Sequence, residues 1–151
     1  PSESVFKSIV DSMGITIGFI PPFPATTFSE GYCFSGRAKD ALDYLCSYAG
    51  YEWCVVNGAL FVTKALQSTG EQAVFLSKNT GMIGVPTKSI SDKTAVFMVK
   101  SLLNHRLAPM KQVKVESKQS DLSGTYVCRT VKHKGTNYDG DFYSSVEALP
   151  V

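Results

Sequence analysis

The sequence predicts an α+β protein: a small α/β module, two helices on a short sheet with a hairpin, followed by a β-barrel-like all-β domain. Three observations carry that reading. Two amphipathic helical repeats are confined to the stretch before Gly50, and an Asn-Gly pair at 57–58 sits between two apolar runs. Beyond Gln72, short alternating segments replace any sustained helical period. At 151 residues, with 44% hydrophobic and 19% charged side chains, the chain has a globular composition. A fold of that size buries about 68–70% of its unfolded surface and needs no covalent staple.

Ser2 is placed to cap a first helix in which Val5, Phe6, Ile9, Val10 and Met13 share one face, and Gly14 stands at its left-handed stop. Ile15–Ile20 reads as a buried strand, closed by Pro21 and Pro22, which lack ladder donors. Residues 21–31 read as a loop. Ser35 is the expected cap of a second helix, where Ala38, Ala41, Leu42, Leu45 and Ala49 recur at helical spacing up to Gly50.

Tyr51–Val56 and Ala59–Lys64 flank Asn57-Gly58, the pair favoured in a type I′ turn because both central positions need positive φ. A two-residue turn fixes the register. It sets Val55 opposite Leu60 and Trp53 opposite Val62 on one face, with Cys54 opposite Phe61 on the other.

Ala65–Gln72, rich in Gln, Ser, Thr and Gly, is the expected linker, giving domains over 1–66 and 72–151. Strands are then expected at Ala73–Ser77, Ala95–Lys100, Gln112–Glu116, Thr125–His133 and Asp141–Ala148, and Gly81-Met82-Ile83-Gly84 as a bend. Strict alternation in Thr125–His133 puts Tyr126, Cys128, Thr130 and Lys132 on one face and Val127, Arg129, Val131 and His133 on the other. Neither is cleanly apolar. The last two strands read as a long C-terminal hairpin through Gly135–Gly140.

The net charge of +2 comes from 15 basic and 13 acidic residues spread along the chain, without a basic block, so nucleic-acid binding is not expected. The longest apolar stretches fall far short of the ~20 residues of a membrane-spanning helix. No charged segment leads into an apolar core at the Pro1 end, so no signal peptide is expected either. Cys33, Cys46, Cys54 and Cys128 form no C-x-x-C pair and read as buried thiols, with a Cys33–Cys54 or Cys46–Cys54 disulfide as the alternative. Their spacing offers no zinc knuckle, so no metal or other cofactor is expected.

His133, with Asp139 and Asp141 across the predicted turn and Ser144 nearby, invites a hydrolase reading, because an imidazole oriented by a carboxylate serves as a general base. No nucleophile elbow or Gly-rich oxyanion loop accompanies them, and the sequence favours a protein without catalytic residues. The aromatic run Tyr44, Tyr48, Tyr51 and Trp53 reads as core rather than as a ligand platform.

In the first half, Phe34-Ser35-Gly-Arg-Ala-Lys-Asp-Ala-Leu-Asp-Tyr-Leu-Cys, Gly50-Tyr51-Glu52-Trp53 and Asn57-Gly58-Ala59-Leu60-Phe61-Val62 resemble the small α/β module of secretin and TonB-dependent receptor N-termini. Four segments of the second half resemble the C-terminal half of bacteriophage tail baseplate hub proteins. They are Thr80-Gly81-Met82-Ile83-Gly84-Val85-Pro86, Val99-Lys100-Ser101-Leu102-Leu103-Asn104-His105-Arg106-Leu107, Gly124–Gly135 and Gly140–Ala148. His105 departs from the family's usual Pro, and Met110 from the Gly that usually completes the turn after Pro109.

The resemblance implies a non-enzymatic structural protein of the virion, made in the host bacterial cytoplasm. It implies the C-terminal half of a longer hub, which forms a trimer and joins tail tube to central spike. The first half alone implies the alternative, a periplasmic secretin or TonB-receptor interaction domain. Mixed polarity on the C-terminal hairpin makes Arg129, Val131, His133, Phe142 and Tyr143 the expected interface.

Overall fold

A computed structural model describes residues 2–23, 28, 30–64, 67–91, 94–138 and 140–151. The chain divides into two compact units, Pro1–Ala65 and Leu66–Val151. It is an α+β protein, with two helices on a three-stranded mixed sheet in the first unit and a strongly curled six-stranded half-barrel in the second.

The first unit runs α1 (Ser2–Met13), β1 (Thr16–Phe19), α2 (Ala38–Ala49), β2 (Tyr51–Val56) and β3 (Ala59–Lys64), with sheet order β1-β3-β2. The apolar stripes of both helices meet one sheet face, and Phe6, Val10, Leu42, Cys46, Leu60 and Val62 form the core. The Phe6 ring lies 4.8 Å from that of Phe23, and Tyr51 donates its hydroxyl proton to the Pro22 carbonyl at 2.9 Å. These two contacts carry the start of the 21–31 loop into the core; residues 24–27 and 29 lie outside the described residues.

Asn57 and Gly58 both have positive φ, at 51° and 79°, and the hairpin pairs Trp53 with Val62, Cys54 with Phe61 and Val55 with Leu60, the register expected. Proline cannot reach positive φ, so Asn57→Pro is expected to break the hairpin and cost about 3 kcal/mol or more, read as a lower unfolding midpoint by Trp53 fluorescence.

Two expectations in this unit fail. Ser35 does not cap α2: Arg37 is the N-cap residue, with extended backbone and no side-chain cap bond. Its guanidinium instead grips the Asp40 carboxylate through Nε at 3.0 Å, placing an acid in the first turn, where the helix dipole favours one. Nor is the 15–20 strand buried. β1 is an exposed edge strand, parallel to β3, whose apolar Ile17 and Phe19 face solvent.

The second unit runs β4 (Val74–Leu76), β5 (Met82–Ser91), β6 (Thr94–Leu102), β7 (Gln112–Val115), β8 (Gly124–Gly135) and β9 (Phe142–Pro150), in sheet order β4-β7-β8-β9-β6-β5. Only the β4–β7 pairing is parallel. Leu76, Phe97, Val99, Leu107, Val113, Val115, Tyr126, Cys128, Val146 and Ala148 fill the inside of the curl.

Of the expected linker, Ala65 and Leu66 lie outside the described residues. Its later part belongs to the second unit, because Thr69 donates its amide to the Met110 carbonyl at 3.2 Å and Glu71 pairs with Lys111 at 2.6 Å. Gly81–Gly84, expected as a bend, opens the ten-residue strand β5. Gly84 and Pro86 fall where the β5–β6 register is interrupted, between Ile83 and Thr87, and Pro86 is tolerated because β5 is an edge. Met110 has φ 64°, the left-handed backbone that makes glycine usual at such a turn.

The alternation expected through Thr125–His133 also fails, for a definable reason. A bulge between Cys128 and Thr130 adds a residue on β8 and shifts the phase of everything after it. Tyr126, Cys128 and Val131 therefore all pack on the core, while Thr130 and Lys132 turn away with Glu147 and Ser145. The mixed faces expected from strict alternation do not exist.

Candidate functional site

His133 and Ser144 are cross-strand partners, and the imidazole Nδ1 lies 2.8 Å from Ser144 Oγ. The same oxygen accepts the Asn104 amide at 3.0 Å and is fully buried. That arrangement fastens the segment after β6 to β9, and it leaves the hydroxyl without the exposed approach a nucleophile requires. Asp141 does not orient the imidazole. Its carboxylate is paired with Lys134, whose ammonium holds it below the usual carboxylate range. Asp139 lies outside the described residues.

The five expected interface residues are spread over both sides of the sheet. Val131 packs on the core, and His133 shares its side. Phe142 lies across Gly135, where an added Cβ would come within 3.2 Å of the ring. Arg129 is exposed at the bulge. Tyr143 lies on the opposite, outer side, with the Lys100 ammonium 3.6 Å from its ring centroid, a cation–π contact.

That outer side is a surface that pattern reading missed. Phe97 and Val99 point into the core, so Met98, Lys100 and Leu102 between and beyond them point out. The pairings align them with Glu147, Ser145 and Tyr143 on β9 and with Thr130, Lys132 and Lys134 on β8. Thr87 and Ile83 complete the rows on β5. The result is a lattice in which Leu102 (59% exposed), Met98 (42%) and Ile83 (38%) stand among three lysines. Its signal in the sequence was the alternation of β6, legible only once the neighbouring strands and the β8 bulge are known.

Two open clefts flank these elements, each within one unit. One, of about 470 Å³, lies between α1 and the segment before α2, with Ser4, Ser8, Ile9 and Ser12 facing Tyr32 and Phe34. The other, of about 750 Å³, lies between Ser77–Asn79, Met82, Val85 and Glu116–Lys118. Among the described residues, no group of three or more His, Cys, Asp or Glu is placed to hold a metal ion, and no helix is long and apolar enough to cross a membrane.

The aromatic run divides: Tyr51 and Trp53 join the core, as expected, whereas Tyr44 and Tyr48 are exposed on α2. The cysteines divide too, and all four are free thiols. Cys46 and Cys128 are buried and Cys54 half-buried, but Cys33 is exposed, against expectation, because the segment before α2 runs over the surface. Burial pushes the Cys46 thiol up to about 11 and the Cys128 thiol up to about 12.

A thiol-reactive dye at pH 8 is therefore expected to label Cys33 quickly and Cys46 and Cys128 only after denaturation. The sign for stability follows from the raised values. Below the ordinary thiol pKa both states keep the proton and stability is whole. It is lost as pH climbs toward about 11 and 12, because the unfolded thiols ionise first. Unfolding midpoints at pH 8 and pH 10.5 check it. The chain matches no family model and no curated protein sequence.

Proposed function

We propose that this chain is a non-enzymatic assembly module of a phage tail baseplate hub, working through contacts with copies of itself and with tail tube and spike proteins. The observation that supports this reading best is the outer side of the half-barrel, where Leu102, Met98 and Ile83 are exposed beside Lys100, Lys132 and Tyr143. A curled sheet whose inside is already filled by its own core gains nothing internal from an apolar outer side. Such a surface is characteristic of a docking face with a polar surround.

The β5 edge is less suited to docking. Pro86, the register break and Lys88 are the devices by which sheet proteins discourage strand addition. Association through the sheet face rather than its edge follows from that contrast. The resemblance of residues 80–86, 99–107, 124–135 and 140–148 to hub proteins supplies the setting.

Quantitative mass spectrometry of purified tails is the test. The chain is expected in assembled particles at a low, fixed copy number. Tails that are complete without it overturn the reading, and recovery with the cell envelope instead favours the secretin-type alternative.

A further inference from the structure

The two units carry opposite charge. Residues 1–65 contain four basic and six acidic side chains, a net −2, and residues 66–151 contain eleven and seven, a net +4. Each unit also exposes one aromatic or apolar surface. On α2, Tyr44 (57% exposed) and Tyr48 (65%) lie one turn apart beside Asp43, whose carboxylate accepts the Trp53 indole N–H at 2.8 Å and has no cationic partner printed on either side of that bond. On the half-barrel it is the outer side around Lys100, Lys132 and Leu102.

The two surfaces also match in repeat. Residues four apart on a helix are separated by about 6 Å along its axis, and alternate residues on a strand by about 7 Å. Tyr44 and Tyr48 can thus occupy successive rows of the sheet, one toward Leu102 and one toward Ile83 and Lys100. Lysines over tyrosine rings are a favourable pairing, already made within the chain by Lys100 and Tyr143.

We propose that the acidic, tyrosine-bearing face of α2 in one copy docks on the basic outer side of the half-barrel in a second copy. The contact is head-to-tail. Because the two faces differ, every bound copy leaves one of each free, so association continues into a ring or an open chain instead of stopping at a symmetric pair. A single helix laid on a sheet falls below the roughly 1,200 Å² of a standard interface, so association of the isolated chain is expected to be weak and salt-sensitive. This inference rests on the assembly reading above and names the partner and the surfaces.

The test is sedimentation of the full chain from micromolar to millimolar concentration, with circular dichroism and Trp53 fluorescence as folding controls. The wild type is expected to exceed the mass of a dimer as concentration rises, and to fall back in high salt. Two double variants, K100E/K132E and Y44S/Y48S, are each expected to lose at least tenfold in association. Mixed together they are expected to form one-to-one dimers and nothing larger, since each retains the face that the other lacks.

Wild-type protein that stays monomeric throughout overturns the proposal. So do folded variants that associate like the wild type, which leaves self-assembly standing but moves its interface, and a mixture that forms no dimer. Presence of the chain in purified tails is decided separately, so loss of this interface and loss of the hub reading are distinguishable.

Discussion

Phe6→Ala is expected to remove most of the stability of the first unit while leaving the second folded. Phe6 is fully buried, stacks against Phe23 and lies in the same core as Leu42, Leu60 and Val62. Truncating such a ring costs about 3–5 kcal/mol through lost burial and the cavity left behind. A unit of this size has only about 3–10 kcal/mol to lose. Trp53, the single tryptophan, is half-buried against that core, so its emission reports the first unit alone. A large fall in the urea midpoint by Trp53 emission, with the β-sheet dichroism of the second unit retained, is the expected outcome. An unchanged midpoint would remove Phe6 from the core.

Deleting Arg129 is expected to be the most damaging single-residue change in the second unit, and far worse than Arg129→Ala. The side chain is exposed, so replacing it alters stability by about 0.5 kcal/mol or less. The residue itself occupies the bulge that keeps Tyr126 and Cys128 before it and Val131 after it on one side. Without it, one half of β8 must turn its inward residues out, because a one-residue slip exchanges the faces of a strand. Either half surrenders core contacts, at about 3 kcal/mol or more. Thermal unfolding of the two variants decides it: equal midpoints would mean that the bulge does not set the phase.

The same bulge marks the limit of what the sequence could disclose. The α+β class, the turn at Asn57-Gly58 and the register of β2 with β3 were all legible, because each is decided by residues close in sequence. Long-range and irregular features were not. Nothing local in Thr125–His133 signals an extra residue, since the cause is the pairing with β9. β5 was concealed because Gly84 and Pro86 read as punctuation, although Ile83, Val85, Thr87 and Ser89 alternate as a strand should. Ser35 is a better cap residue than Arg37 by type, yet the Arg37–Asp40 ion pair goes with a later start.

The candidate surface was legible only in part. Tyr143 was singled out, but its neighbours Lys100, Leu102 and Ile83 come from two other strands, and no pattern within one strand brings them together. The His133–Ser144 proximity was anticipated correctly, while the buried state of Ser144, which removes its chemistry, depends on the whole curl.

The position of β9 bears on how the protein is made. It is the last strand of the half-barrel in sequence, yet it sits in the interior of the sheet, between β8 and β6. During synthesis from the N-terminal end, β5 with β6 and β7 with β8 are able to form as hairpins, but nothing joins the two pairs until residues 142–150 leave the ribosome. A nascent or prematurely terminated chain therefore exposes two unfilled sheet edges and half of a core, the state that cellular proteases recognise. Chains ending at Asp141 are expected to be degraded rapidly, and pulse-chase labelling in a bacterial host, with and without the last strand, measures the difference. Assembly of the second unit is in this way tied to completion of its final strand, so that only finished copies present the outer side of the sheet to a partner.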